Sequence, residues 1–395
     1  MAKSVLALAN PIILKWAREN IGYRIEEAAK KIGISNPEKL KKAEEGTEHL
    51  TINQLRNAAK VYRRPFPIFF LESPPRDAVD PDFRVLYTKE SKKISPEAKK
   101  KIMEIAQKRN YLIEITNMNE KDFPYEFIKI SLGEDFNYVA SQIRRELKIN
   151  FKTQINWKNK YEAFNTWRDA IEKRFGILVF KLDRIEIDDL RGFSIDKKPF
   201  PIIAVNSKDH VYAKCFTLLH ELCHILLETS NLCKSNDFNE ILTHDKEETF
   251  CNYVSGAILA PKEFLIKDEL VKEYTKSIKD YEILTELSDR YRVSKEAILR
   301  RLLILNYISN NDYITYRNGI SSREHEDSES GTGGGNYYTG ILSRNSFTYL
   351  NIVFSELEKG NLSLVDVSLN LKVKINNLDI LLNRFYKKYG LKLSK

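Results

Sequence analysis

The spacing of apolar residues near the start of the chain predicts a bundle of short helices. Pro11 stands where the first helix would begin, a position that proline favours. Apolar side chains then recur every three or four residues in three further segments: Ile25–Ile32, Pro37–Glu44 and Ile52–Tyr62. Gly33 interrupts the pattern between the first two of these segments. We therefore expect an all-α unit over residues 1–71 that contains a helix-turn-helix.

Beyond this bundle, the apolar period changes in the middle of the chain. Prolines predict a linker over residues 72–94. Helical patterns then resume in three segments: Ser95–Met118, Asn137–Leu147 and Lys160–Phe175. Short apolar or alternating runs, typical of strands, follow at Gly176–Phe180, Gly192–Ile195 and Pro201–Val205. Two long helices are predicted next, at about 211–228 and 245–258. The central region, residues 95–318 with its core at 160–306, is therefore expected to be α+β.

The last part of the chain again has a helical period. Ile283–Tyr291 and Ser294–Leu305 form a predicted helix pair, with Ser294 as an N-cap. Residues 319–336 are rich in Gly, Ser and Glu and predict a flexible linker. A small helical domain is predicted over residues 337–395, with helices at Phe347–Glu358, Leu362–Leu369 and Ile375–Tyr386. Its pattern suits a small packing or partner-binding bundle, and no chemistry is assigned to it.

Composition narrows the class of protein. The 395 residues carry a net charge of +9, an excess that favours polyanions or acidic proteins as partners. No apolar run approaches the ~18 residues of a membrane span, so no membrane association is expected. The four cysteines lack C-x-x-C spacing: Cys215, Cys223, Cys233 and Cys251. A reduced, cytoplasmic setting fits them.

One predicted helix carries three polar residues that suit a metal site. His220 and His224 are separated by about 40° around the helix and roughly 6 Å along it, so both imidazoles project from one face. Two imidazoles suit Zn²⁺ and leave room for a third ligand and a water, as a catalytic site requires. Glu221 adjoins the first histidine and can accept the proton of that water. The alternative, two core histidines beside a solvated glutamate, would bury polar groups without compensation.

Spacing leaves the third ligand open. Glu247 and Glu248 begin the next predicted helix and are the leading candidates. His244 would serve if that helix began earlier, and Cys251 is a softer option one turn beyond Glu248. Acidic residues at a helix start also interact with the helix dipole without binding any metal.

Three segments resemble the ImmA/IrrE family of metallopeptidases, which occur beside or fused to helix-turn-helix regulators in bacteria and their mobile elements. They are Phe216–His224, Glu248–Asn252 and Ile258–Pro261. The resemblance implies a zincin-like fold, one Zn²⁺ per chain and Glu248 as its third protein ligand. Asn252 is the motif companion of that glutamate.

The resemblance extends over approximately residues 160–306. Val293-Ser294 with Arg301-Leu302 matches a later motif of the family. Cys223 and Cys251 depart from it, since the family usually has glycine and alanine there, but both side chains are small enough for the packing to survive.

The N-terminal unit is similar to the XRE-type helix-turn-helix, with Glu26–Ala29 in the first helix and Gly46 after the second. Residues 1–72 contain 13 Lys and Arg against 8 Asp and Glu, which is compatible with phosphate contacts. The candidate DNA-binding residues are Lys39, Lys41 and Lys42. Glutamates are mixed with these lysines, and the helix offers no Arg, Asn or Gln for base pairs. A helical docking or dimerisation module is therefore the alternative.

Together these features predict a zinc-dependent regulatory endopeptidase of the HExxH type that is coupled to a DNA-binding module. The resemblance implies a repressor or antitoxin as its protein substrate. An extended substrate could pair with the strand Pro201–Val205. Double-stranded DNA is the expected partner of the N-terminal unit, and a homodimer stays open. The alternative function is a DNA-binding regulator or antitoxin whose peptidase-like domain senses or scaffolds.

Overall fold

The computed structural model describes residues 5–74, 94–227, 232–233, 246–276, 281–320 and 337–391. The chain divides into two compact units, Met1–Gln107 and Lys108–Lys395. The first is helical and the second combines helices with a small sheet, so the α+β class is confirmed. The domain boundaries inferred from the sequence stay predictions. The proposed linkers lie largely outside the described residues.

Helices of the first unit have the bounds that the apolar pattern predicts. They are α1 (Pro11–Ile21), α2 (Ile25–Ile32), α3 (Pro37–Glu44) and α4 (Ile52–Tyr62), followed by a 3-10 helix at Phe66–Phe70. Helix α5 (Pro96–Thr116) begins in this unit and ends in the second. Asn10 caps α1 by accepting a hydrogen bond from the Ile12 amide at 2.9 Å. Gly33 ends α2 at φ +86°, a conformation that other residues rarely adopt.

A buried ion pair links two helices of this unit. The Arg18 guanidinium on α1 donates to both carboxylate oxygens of Glu44 on α3, at 2.7 and 2.8 Å. Both side chains are less than 10% exposed. Since this bidentate geometry fixes both side chains, it holds α3 against α1.

The second unit contains fourteen labelled helices of its own and four strands among the described residues. The first six elements are α6 (Phe136–Glu146), α7 (Phe151–Ile155), α8 (Lys160–Phe175), β1 (Leu178–Leu182), β2 (Gly192–Ile195) and β3 (Ile202–Asn206). They are followed by α9 (Val211–Leu226), β4 (Leu232–Cys233), α10 (Lys246–Leu259), α11 (Lys262–Leu265) and α12 (Glu269–Lys276). The remainder are α13 (Tyr281–Tyr291), α14 (Lys295–Ile304), α15 (Asn310–Ile320), α16 (Tyr337–Arg344), α17 (Phe347–Glu358), α18 (Leu364–Leu371) and α19 (Leu378–Tyr389). Short 3-10 turns lie at Glu120–Asp122 and Ile375–Asn377.

The sheet has the strand order β1-β3-β2-β4. Strand β3 pairs with β1 in parallel and with β2 antiparallel, so both of its edges are occupied. The expectation that Pro201–Val205 pairs with an extended substrate is therefore wrong. A strand can be added only at a free edge, because an interior strand has no unpaired backbone groups to offer.

Apolar side chains of α8, α9 and α10 and of β1 and β3 form one core with α13 and α14. All five residues of β3 are buried, as expected for a strand covered on both faces. The region after the 319–336 stretch packs on the same unit, where α16 and α17 contact β1. No helix of the described residues is long and apolar enough to cross a membrane.

Candidate metal centre

Helix α9 brings a polar triplet into the core. Its sequence is apolar on nearly every side, and it packs against α8, α10 and the strands β2 and β3. His220, Glu221 and His224 are consequently only 2%, 0% and 1% exposed. Three polar side chains buried at this depth require compensating partners.

Those partners come from the first turn of α10. The two histidine Nε2 atoms lie 3.0 Å apart, and each faces the Glu248 carboxylate. His220 Nε2 is 3.2 Å from Glu248 Oε2, and His224 Nε2 is 3.1 Å from Glu248 Oε1. One potential ligand atom from each residue falls within 4.8 Å of the others. Two nitrogens and a carboxylate oxygen are the donor set of catalytic zinc sites with an open position.

Two other candidates for a third ligand, Glu247 and Cys251, are not in this cluster. Glu247 Oε1 lies 3.0 Å from His224 Nδ1, on the opposite edge of the ring from the Nε2 atoms. Cys251 Sγ lies 3.7 Å from the same Nδ1 atom. His244 lies outside the described residues. The geometry therefore groups Glu248 with the histidines, as the family resemblance implies.

Burial and hydrogen bonding shift the pKa values of two residues in the cluster, His224 and Glu248. Burial lowers the pKa of His224, but hydrogen bonds with Glu247 and Glu248 outweigh it and raise that pKa well above its usual value. Burial opposes ionisation of Glu248, yet its hydrogen bonds with His220 and His224 lower the pKa of that carboxyl. Two imidazole nitrogens that face one carboxylate at about 3 Å are donors that a divalent cation binds, so these residues fit a metal.

Glu221 points toward the sheet. Gly192 on β2 makes room for it, since a Cβ atom at this position would lie 3.6 Å from Glu221 Oε1 and 2.5 Å from Thr217 Cγ2. Burial raises the pKa of the Glu221 carboxyl, and His224 and His220 offset only part of that rise. Ser194, also on β2, offsets another part of the rise in the pKa of Glu221, but neither Glu221 oxygen has a partner of good hydrogen-bond geometry among the described residues.

Sequence reasoning missed the residues that hold the far end of α10. Arg144 donates to the Ile258 carbonyl at 2.6 Å and to Gln154 Oε1 at 2.7 Å. Gln154 donates to the Leu259 carbonyl at 2.8 Å, and Arg301 donates to the Ala260 carbonyl at 3.0 Å. These donors satisfy carbonyls that the end of a helix leaves open. The resemblance marked Arg301, but no local pattern marks Arg144 or Gln154.

The candidate DNA-binding residues lie on α3 of the first unit. Lys41 and Lys42 are exposed and Lys39 is half-buried. Lys42 Nζ forms an ion pair with Glu48 at 3.0 Å, and Lys41 Nζ lies 4.0 Å from Glu38. Acidic neighbours therefore reduce the positive charge that this helix can offer to phosphates.

One part of the chain matches a known family model. Residues 172–303 match the model of a peptidase family, M78, described as an IrrE N-terminal-like domain. One similar solved structure is a Mycobacterium tuberculosis transcriptional regulator, at 16% identity and a TM-score of 0.28. The match covers 49% of this chain and 52% of the regulator chain. No curated protein matches the chain significantly. The matched segment, residues 172–303, contains the His-His-Glu cluster and is similar to an IrrE N-terminal-like domain.

Proposed function

We propose that this protein is a zinc-dependent regulatory endopeptidase. The observation that carries the proposal is the convergence of His220 Nε2, His224 Nε2 and the Glu248 carboxylate on one point, beside the buried carboxyl of Glu221. One domain supplies both a candidate metal site and a candidate proton acceptor. The match of residues 172–303 to a peptidase family model supports the same reaction class.

In this proposal His220, His224 and Glu248 hold one Zn²⁺. When bound, the ion would supply a Lewis acid that acidifies a water molecule and polarises a peptide carbonyl. Glu221 takes a proton from the water as the water oxygen attacks the peptide carbonyl carbon. It then delivers that proton to the departing amine nitrogen as the C–N bond breaks. The raised pKa of Glu221 suits this role, because the group must hold the proton between the two transfers.

Glu221→Gln is the decisive variant, because it removes the proton acceptor and leaves the three ligands in place. We expect it to keep one zinc per chain and to lower cleavage by about 10²-fold or more. His224→Ala should lose both zinc and cleavage. Metal content is measured by elemental analysis, and cleavage by the new N-termini that the zinc-loaded protein produces in a peptide library. Equal cleavage by the parent and Glu221→Gln proteins would refute the assigned base, and a parent that binds no zinc would refute the metal site.

The substrate that we propose is a repressor or antitoxin, an assignment that rests on the family resemblance. It is tested by mixing the protein with the products of neighbouring genes and mapping the cleavage sites by mass spectrometry. Cleavage of none of these products, by a protein that does cut library peptides, would refute the substrate class alone.

Double-stranded DNA is the proposed partner of the first unit. The support is the pair α2 and α3 around Gly33 and the exposed Lys41 and Lys42 side chains. In a DNA shift assay, Lys39→Glu with Lys41→Glu should weaken binding at low salt, and the parent should bind less tightly as salt rises. DNA binding without proteolysis of any neighbouring-gene product would favour a regulator with a non-catalytic peptidase-like domain.

A further inference from the structure

We infer that Glu247 is a positioning residue that orients the His224 imidazole for metal binding. The inference rests on the proposed zinc site and adds to it a carboxylate that does not touch the metal. The sequence offered this glutamate either as a metal ligand or as a partner of the helix dipole.

The geometry separates the two neighbouring glutamates by the edge of the ring that each one reaches. Glu248 Oε1 lies 3.1 Å from His224 Nε2, whereas Glu247 Oε1 lies 3.0 Å from His224 Nδ1. A distance of 3.0 Å to a ring nitrogen is that of a hydrogen bond in which Nδ1–H donates to the carboxylate. With the proton on Nδ1, the Nε2 lone pair is free to face the metal.

This contact also distinguishes the two histidines of the cluster. His220 Nδ1 is buried and lacks a hydrogen-bond partner among the described residues. The His224 ring is therefore held at both edges, while the His220 ring is held by the packing of α9 and by its Nε2 contacts. We expect His224 to depend on a neighbouring carboxylate for its orientation and tautomer in a way that His220 does not.

Burial makes the contact effective. The His224 side chain is 1% exposed and that of Glu247 is 21% exposed, so water competes little for the Nδ1 proton. A carboxylate behind a metal-binding histidine fixes its tautomer and raises the basicity of the nitrogen that binds the metal. Loss of such a partner typically costs 10–100-fold in metal affinity. The first turn of α10 would thus contribute Glu248 as a metal ligand and Glu247 as the hydrogen-bond acceptor for His224 Nδ1–H.

Zinc affinity of the full-length protein tests this role without any substrate. The dissociation constant is measured by competition with a chromophoric chelator, for the parent, Glu247→Ala and Glu247→Gln proteins. We expect Glu247→Ala to weaken zinc binding by about 10–100-fold. Glu247→Gln should recover part of the loss, because its amide oxygen still accepts the Nδ1–H hydrogen bond. The visible spectrum of the Co²⁺-loaded protein should shift in Glu247→Ala, since a rotated imidazole changes the ligand field.

Glu269→Ala is the matched control. Glu269 also lies in the first turn of a helix, α12, but its side chain is 83% exposed. This variant should bind zinc as the parent does. Zinc affinity within twofold of the parent in Glu247→Ala would overturn the inference, and so would an equal loss in Glu247→Gln and Glu247→Ala. If the parent itself binds no zinc, the proposed function is refuted together with this inference. If the parent binds zinc and the Glu247 variants bind it equally well, the proposed function stands and this inference alone fails.

Discussion

At the scale of single residues, the candidate site depends on how closely α9 approaches the sheet. Gly192 on β2 is a point of close approach, because the Thr217 and Glu221 side chains occupy the space where a side chain would stand. The φ angle of this glycine lies outside the left-handed range that favours glycine. Its role is therefore to leave space rather than to allow an unusual turn.

We predict that Gly192→Ala destabilises the protein and impairs cleavage. The added methyl group would lie 2.5 Å from Thr217 Cγ2 and 2.9 Å from the Ala204 carbonyl oxygen, so the helix or the strand must shift. Overpacking of this kind costs about 1–3 kcal/mol, which urea unfolding measures. Gly256→Ala in α10 is the control, because no atom lies within 4 Å of its added methyl group. Equal stability of the Gly192→Ala and parent proteins would contradict the argument.

Lys181 leads to a prediction about pH. Burial, aided by the nearby cations Arg168 and Lys214, lowers the pKa of this lysine from 10.5 to about 7. Between these two values the unfolded chain binds more protons than the folded one, so this group makes stability rise with pH. Below pH 7 both states are protonated, and the full cost of burying the charge remains.

Lys181→Met should therefore stabilise the protein at pH 6, by about 1–3 kcal/mol once residual solvation of the side chain is allowed for. The gain should shrink toward zero as the pH approaches 10.5. Urea unfolding of the variant and the parent across this range checks the trend. Lys152→Met, at an exposed position of α7, should show no such change with pH. A gain that is constant from pH 6 to 10 would contradict the assignment to charge burial.

The sequence predicts the parts of the site that are close together along the chain. His220, Glu221 and His224 follow from helical spacing alone, because their relation is local. Glu248 needed the family resemblance, since spacing could not distinguish it from Glu247. Gly192 could not be found in advance, because its contact with Glu221 joins a strand and a helix whose packing no local pattern specifies.

At the scale of elements, prediction succeeded where a helix has strong end signals. The bounds of α8 and α17 are as predicted; Asn159 and Ser346 cap their first turns, and Gly176 ends α8. The missed elements include α7, α11 and β4, with only five, four and two residues. Segments this short contain too few positions for an apolar period to be recognised. Their structure comes from tertiary packing.

The buried end of α10 gives a prediction at this scale. Gln154 donates to the Leu259 carbonyl at 2.8 Å and to the Tyr291 carbonyl at 2.6 Å, so it joins α10 to α13. Gln154→Leu keeps the volume but leaves both carbonyls without this donor. We expect a loss of about 2–6 kcal/mol in unfolding free energy, from about 1–3 kcal/mol for each of the two unsatisfied carbonyls.

The same variant should also weaken zinc binding, because α10 carries Glu248. Gln142→Leu on α6 is its control, since that side chain is only half-buried, and it should change stability by no more than about 0.5 kcal/mol. Equal stability of the two variants would show that the hydrogen bonds of Gln154 do not hold α10.

At the scale of the second unit as a whole, a buried polar junction ties the C-terminal helices to α8. Glu172 Oε2 accepts hydrogen bonds from Ser346 Oγ at 2.8 Å and from the Thr348 amide at 2.9 Å. Arg168 lies beside Glu172 at 3.3 Å and donates to the Ser343 carbonyl at 2.9 Å. Ser343 lies at the end of α16, and Ser346 and Thr348 lie at the start of α17, so the junction fixes the turn between α16 and α17.

Removing one member of this junction should therefore loosen the C-terminal helices. Glu172→Gln leaves the Arg168 charge buried without its counterion, and breaking a buried pair in this way costs about 3–5 kcal/mol. The double variant Arg168→Met with Glu172→Leu should lose less than the sum of the single variants, because it leaves no uncompensated charge.

Glu146→Gln is the control: its pair with Arg174 is about 30% exposed, so its loss should cost no more than about 1 kcal/mol. Urea unfolding measures these differences, and limited trypsin digestion should cut the Glu172→Gln protein near Arg344 sooner than the parent. Unchanged digestion would mean that apolar packing on β1, rather than this junction, holds the C-terminal helices in place.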